Sequence, residues 1–144
     1  MRYVATRAPG NRGVSFETAL FEGLPPHGGL YVPEAIEPWN LEDLTRLALR
    51  TLTETALRVL RPFVRGNVDA ATLEAVVVEA LSFPIPIVEV EPCIYSVELF
   101  HGPTLAFKDV GARVMARLMA SLHHADDPLT VVAATSGDTG SAVA

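Results

Sequence analysis

Apolar side chains recur at Val110, Val114, Met115, Leu118, Met119 and Leu122, the spacing of one helix face. Gly102-Pro103 breaks the extended run before them, so Thr104 is the expected N-cap and Lys108 falls near the first turn. Upstream, Leu41, Leu44, Leu47 and Ala48 share a face behind Asn40, with Glu42 and Asp43 in the first turn. That pattern predicts a helix running to about Arg61, before Pro62. Leu73, Val76, Val77 and Ala80 or Leu81 behind Asp69 predict another, ending before Phe83-Pro84-Ile85-Pro86. A short helix over 16–22 is expected from the Ser15 cap and the Gly23 stop.

The extended candidates are residues 2–7 as an edge strand, the brief piece 30–33 after the Pro25–Gly29 turn, then 87–90 and 95–100. Thr130–Ala134 is fully apolar, as a strand buried on both faces would be. Strand, helix, strand, helix after residue 86 implies a parallel α/β layer. The composition shift at Ser82–Pro86 divides the chain into a mainly helical unit, 1–82, and the start of an α/β domain, 83–144. Gly140–Ala144 reads as the opening of an apolar helix with no stop signal after it, so the chain is expected to end inside an element.

Composition narrows the function more than the fold. A net charge of −6 argues against a broad nucleic-acid footprint. The single cysteine, Cys93, cannot form an internal disulfide and suits a reducing compartment. The first residues lack the apolar core of a signal peptide, and no later stretch has the length of a membrane span, so a soluble cytoplasmic protein is expected. No metal site is expected: His123 and His124 are adjacent and do not face one ion on a helix, and Asp126-Asp127-Pro128 reads as a turn. His101 lies in the lysine segment, where it can touch a substrate or bond the loop backbone.

Two stretches carry chemistry. A reactive lysine needs an uncharged amine, whereas an unperturbed ammonium has a pKa of about 10.4. The positive end of a helix dipole and the apolar Leu105, Ala106 and Phe107 can both help Lys108. The plain alternative is a solvated lysine on a surface helix. The second stretch, Thr135-Ser136-Gly137-Asp138-Thr139-Gly140, follows the apolar run and opens a helix, a setting that favours a carboxylate or phosphate. It lacks the Gly-Lys-Ser/Thr ending of a nucleotide P-loop and the glycine spacing of a dinucleotide fingerprint, so a small anion is the better ligand.

Taken in order, Tyr3–Arg7, Val14–Leu20, Pro26–Pro33, the segment Glu98–Asp109 and Ser136–Gly140 resemble the threonine synthase family of fold type II pyridoxal-phosphate enzymes, which is similar to tryptophan synthase β. The resemblance covers essentially the whole chain. It implies that Lys108 attaches pyridoxal 5'-phosphate covalently with Phe107 beside the cofactor. Ser136, Gly137, Asp138, Thr139 and Gly140 would hold the substrate carboxylate. Asp138 falls where many relatives have Asn near the cofactor's phenolic oxygen, and an ionised Asp cannot donate to that oxygen. The implied reaction converts O-phosphohomoserine and water to threonine and phosphate; a related dehydratase or phospho-lyase, or a non-catalytic partner-binding fragment, are the alternatives. Family members are longer, and their cofactor-phosphate loop and pyridine-nitrogen partner lie beyond the stretch matched here. The chain is therefore expected to be an amino-terminal portion, inactive alone and open to self-association.

Overall fold

In the computed structural model, which describes residues 1–8, 10, 12–123, 128–135 and 137–143, Tyr3–Ala5 (β1) pairs antiparallel with Tyr31–Pro33 (β2). Tyr3 lies opposite Pro33 and Ala5 opposite Tyr31. Between them Phe16–Glu22 (α1) starts where Ser15 Oγ accepts the Thr18 N–H at 3.0 Å. It stops at Gly23, whose φ of +69° lets its N–H reach the Ala19 carbonyl.

The single helix expected from Asn40 to Arg61 is instead two, Leu41–Leu47 (α2) and Leu52–Val64 (α3). A second capping box overrides the apolar period: Thr51 Oγ1 accepts the Glu54 N–H at 3.2 Å while the Glu54 carboxylate accepts the Thr51 N–H at 2.9 Å. Pro62 lies inside α3, near its end, where it removes one N–H from the helix ladder. The shared face of α2 is not a core face, since Leu41 and Leu44 are exposed and no residue of α2 is buried.

Asp69 opens Ala70–Ala80 (α4) by accepting the N–H groups of Ala71 and Thr72, both at 3.0 Å. The described residues form two compact units, Met1–Glu74 and Ala75–Ala144, and the division falls within α4. In the first unit Tyr3, Val64 and Leu73 are buried, and Tyr3 Oη donates to the Phe63 carbonyl at 2.9 Å. That bond satisfies the polar end of an otherwise apolar ring.

In the second unit Val76, Val77, Ala80 and Leu118 are buried. Lys108–Leu122 (α5) is tied to the end of α4 by Arg113, which donates to the carbonyls of Ala80 at 2.8 Å and Glu79 at 3.1 Å. These are orphan carbonyls of a helix C-terminus, where a cation is also favoured by the dipole. Ile87–Glu91 (β3) and Ile94–Val97 (β4) form an antiparallel hairpin with a bulge between Glu89 and Glu91. Exposed Cys93 sits at its turn with φ +66°.

The expected parallel layer is not formed among the described residues. Residues 130–134 are not a strand, and both sheets are two-stranded and antiparallel. An apolar run becomes a strand only when a neighbour takes its backbone hydrogen bonds, and Val131 and Val132 are instead exposed. The last element is Asp138–Val143 (α6). No described helix is long and apolar enough to cross a membrane, and no described cluster of His, Cys, Asp or Glu could hold a metal ion. The expectations for His124, Asp126 and Asp127 lie outside the described residues.

Candidate active site

The helix carrying Lys108 begins later than its sequence suggests. Thr104 does not cap it; α5 starts at Lys108 itself, and Phe107 in the N-cap position offers no side-chain acceptor. Residues 102–107 form a turn in which the Leu105 N–H reaches the Gly102 carbonyl at 3.1 Å and Leu105 takes φ +58°. A non-glycine residue in that region is strained and persists only where surrounding bonds hold it.

Asp109 supplies those bonds. Its carboxylate accepts the Thr104 N–H on Oδ2 at 2.9 Å and the Thr104 hydroxyl on Oδ1 at 2.8 Å, and the residue is 0% exposed. A Cβ at Gly102 would meet Asp109 Oδ2 and lie 2.7 Å from its Cβ and 2.8 Å from its Cγ. Only glycine leaves room for the carboxylate there.

Lys108 leaves the same helix turn in another direction and is only partly covered, with 29% of its side chain exposed. Its Nζ lies 4.2 Å from the centre of the Phe107 ring and 3.5 Å from Asp138 Oδ2. Lys108 and Asp138, 30 residues apart in sequence, are thus brought together. Leu105 is 74% exposed and Phe107 59%, so both neighbours stay open to solvent while the Phe107 ring covers one side of the amine.

On the Asp138 side, Gly137 has φ +132° and its N–H meets Thr135 Oγ1 at 3.3 Å. Ser141 closes the first turn of α6, its N–H and its hydroxyl each donating to the Gly137 carbonyl at 2.8 Å. Thr139 and Gly140 lie in α6, and Gly140 has no space for a Cβ, which would fall 2.6 Å from Thr135 Cγ2. Ser136 lies outside the described residues. His101 bonds neither the loop backbone nor Lys108: its Nε2 is 2.7 Å from Glu98 Oε2, and its ring stacks on Phe100.

The family model described as the threonine synthase N terminus matches residues 2–81. The chain belongs to the threonine synthase family. Threonine synthase of Haemophilus influenzae is 44% identical over 131 residues, which cover 91% of this chain and 30% of that protein. The crystal structure of threonine synthase from Escherichia coli superposes with a TM-score of 0.91 at 36% identity, covering 99% of this chain and 33% of that one. Pyridoxal-phosphate-bound threonine synthase from Brucella melitensis gives 0.88 at 39% identity, with 99% and 32% covered. This chain thus has the fold type II architecture of its family over about a third of the length of those relatives.

Reading the sequence for chemistry missed Asp109. The signal was present in Gly102-Pro103-Thr104 followed five residues later by an acid. Local capping rules look for the acceptor before the donors, whereas here it comes after them.

Proposed function

We propose that this chain is the amino-terminal portion of a cytoplasmic threonine synthase that converts O-phosphohomoserine and water to threonine and phosphate with pyridoxal 5'-phosphate. Lys108 is its cofactor anchor. The observation that carries the reading is the superposition of nearly the whole chain, at a TM-score of 0.88, on a threonine synthase with pyridoxal phosphate bound. Support for the domain division at 82/83 comes from the extent of the family match, which ends at residue 81.

The residues present fit the cofactor. Lys108 offers a partly exposed primary amine, engaged by one ion pair at 3.5 Å and one ring face, both of which an incoming aldehyde can displace. When bound, pyridoxal phosphate supplies an electron sink for carbanions at the substrate carbons. Lys108 Nζ would attach the cofactor and would take up and return protons at the substrate carbons. Phe107 flanks that amine with an apolar ring. Asp138 Oδ2 is placed to hold a proton close to Nζ or to orient the cofactor's polar edge. The unpaired N–H groups expected at the first turn of α6, over Asp138, Thr139 and Gly140, are suited to the substrate carboxylate together with Ser136 and Gly137.

The test is made in the complete protein. Lys108→Ala is expected to abolish cofactor absorbance and phosphate release from O-phosphohomoserine. An unchanged spectrum would remove Lys108 from the anchor role. Release of a keto acid in place of threonine would assign the protein to the dehydratases.

A further inference from the structure

We propose that Asp109 is a positioning residue for Lys108: its buried carboxylate ties down the Gly102–Phe107 turn and so fixes where the lysine leaves the backbone at the start of α5. The inference rests on Lys108 being the cofactor anchor.

Three observations converge on it. First, α5 has no side-chain cap at its N-terminus, and an uncapped first turn frays. Lys108 occupies that turn. The backbone bonds there are Asp109 N–H to the Ala106 carbonyl at 3.0 Å and Val110 N–H to the Phe107 carbonyl at a longer 3.3 Å. Second, both bonds to the Asp109 carboxylate come from Thr104, which lies on the far side of the strained Leu105. The carboxylate therefore ties Thr104, inside the turn, to the first turn of α5 across Leu105. Third, neighbouring residues on a helix diverge by about 100°, so a fully buried Asp109 obliges Lys108 to point outward. The first sets the direction of the second.

The consequence for chemistry is geometric. Misplacing a reacting group by about 1 Å can cost on the order of a hundredfold in rate, and a frayed first turn moves its side chains by more than that. Asp109 is 0% exposed, so its removal acts through the place and mobility of Nζ.

The test uses Thr104, since its substitution loosens the clamp without leaving a cavity at Asp109. In the complete protein, condensation of the Lys108 amine with the cofactor's aldehyde, which expels water, is followed by borohydride reduction and peptide mapping. Thr104→Val keeps the shape and deletes the hydroxyl; it is expected to slow capture on Lys108 about tenfold, the effect of one lost hydrogen bond to a charged group. Thr104→Ser restores the hydroxyl and is expected to stay within about twofold of the parent. Both should melt as cooperatively as the parent. In the unsubstituted protein without cofactor, the Thr104 amide is expected to exchange with solvent as slowly as core amides.

A parental capture rate in Thr104→Val, with modification still confined to Lys108, overturns the inference alone. Modification that persists in Lys108→Ala overturns the anchor reading and the inference with it. If Thr104→Val does not fold, the Thr104 amide decides: slow exchange supports the clamp, and free exchange overturns it.

Discussion

Two helices of this chain begin beside an aspartate that binds a threonine, and the two starts differ in kind. At α4, Asp69 precedes the helix, and its carboxylate takes the Thr72 N–H at 3.0 Å and the Thr72 hydroxyl at 2.7 Å. At α5, Asp109 lies inside the helix and takes the same pair of groups from Thr104, five residues upstream. Asp69 is exposed; Asp109 is buried with no solvent contact. Water can replace the threonine at the first site but cannot reach the second. The same bonds therefore open a helix in one place and, in the other, fix the turn that precedes Lys108.

The largest expected difference follows from that contrast. Asp109→Ala removes a buried acceptor from two Thr104 donors and should cost about 3 kcal/mol, while Asp69→Ala should cost visibly less in the same denaturant titration. Equal losses would break the comparison. Gly102→Ala comes next, because a methyl group would sit against the Asp109 side chain at backbone-fixed positions. Such overpacking costs roughly 1–3 kcal/mol, and thermal melting should register it even though the substitution adds only one carbon.

The two starts also differ in how far the sequence announces them. Asp69 is legible because cap, first turn and apolar face follow one another locally, and Ser15 and Asn40 are legible for the same reason. The late start of α5 is not, since it depends on a carboxylate finding a burial site among residues that only the fold brings near. Period misled where a stronger local signal intervened, as when the capping box of Thr51 and Glu54 divided one expected helix into α2 and α3. The apolar run 130–134 misled differently: strand formation belongs to the partner as much as to the segment. The lysine and its turn were readable as ordered motifs, yet the 3.5 Å pairing of Lys108 with Asp138 is a property of the folded unit.

Acid offers a separate test of the exposed aspartate, Asp69. The carboxyl of Asp69 is held below its ordinary value of 3.8, chiefly by the Thr72 N–H and then by the Thr72 hydroxyl. A carboxyl depressed in the folded state contributes stability that is complete above the unfolded value and is lost as pH falls through the folded one. Melting temperature should therefore fall more steeply below pH 3.8 in the parent than in Asp69→Asn, which keeps a capping acceptor but does not titrate. Parallel curves would remove Asp69 from the acid response. Glu54, lowered first by the Thr51 N–H and then by Arg50, should add to the same slope.

The smallest effect on stability is expected at a third aspartate, Asp138, and it sharpens the contrast most. Its side chain is 69% exposed, and its ion pair with Lys108 is a single contact at 3.5 Å. Exposed pairs of that kind contribute between zero and about 1 kcal/mol, so Asp138→Asn should leave the melting temperature of the complete protein nearly unchanged. The same substitution removes the carboxylate nearest the amine, and the absorbance of the cofactor-loaded protein and its dependence on pH should both shift. That outcome would assign Asp109 to the fold and Asp138 to the site. A melting-temperature loss in Asp138→Asn as large as that of Asp109→Ala would show that the two turns are built alike, and the division of labour between them would fall.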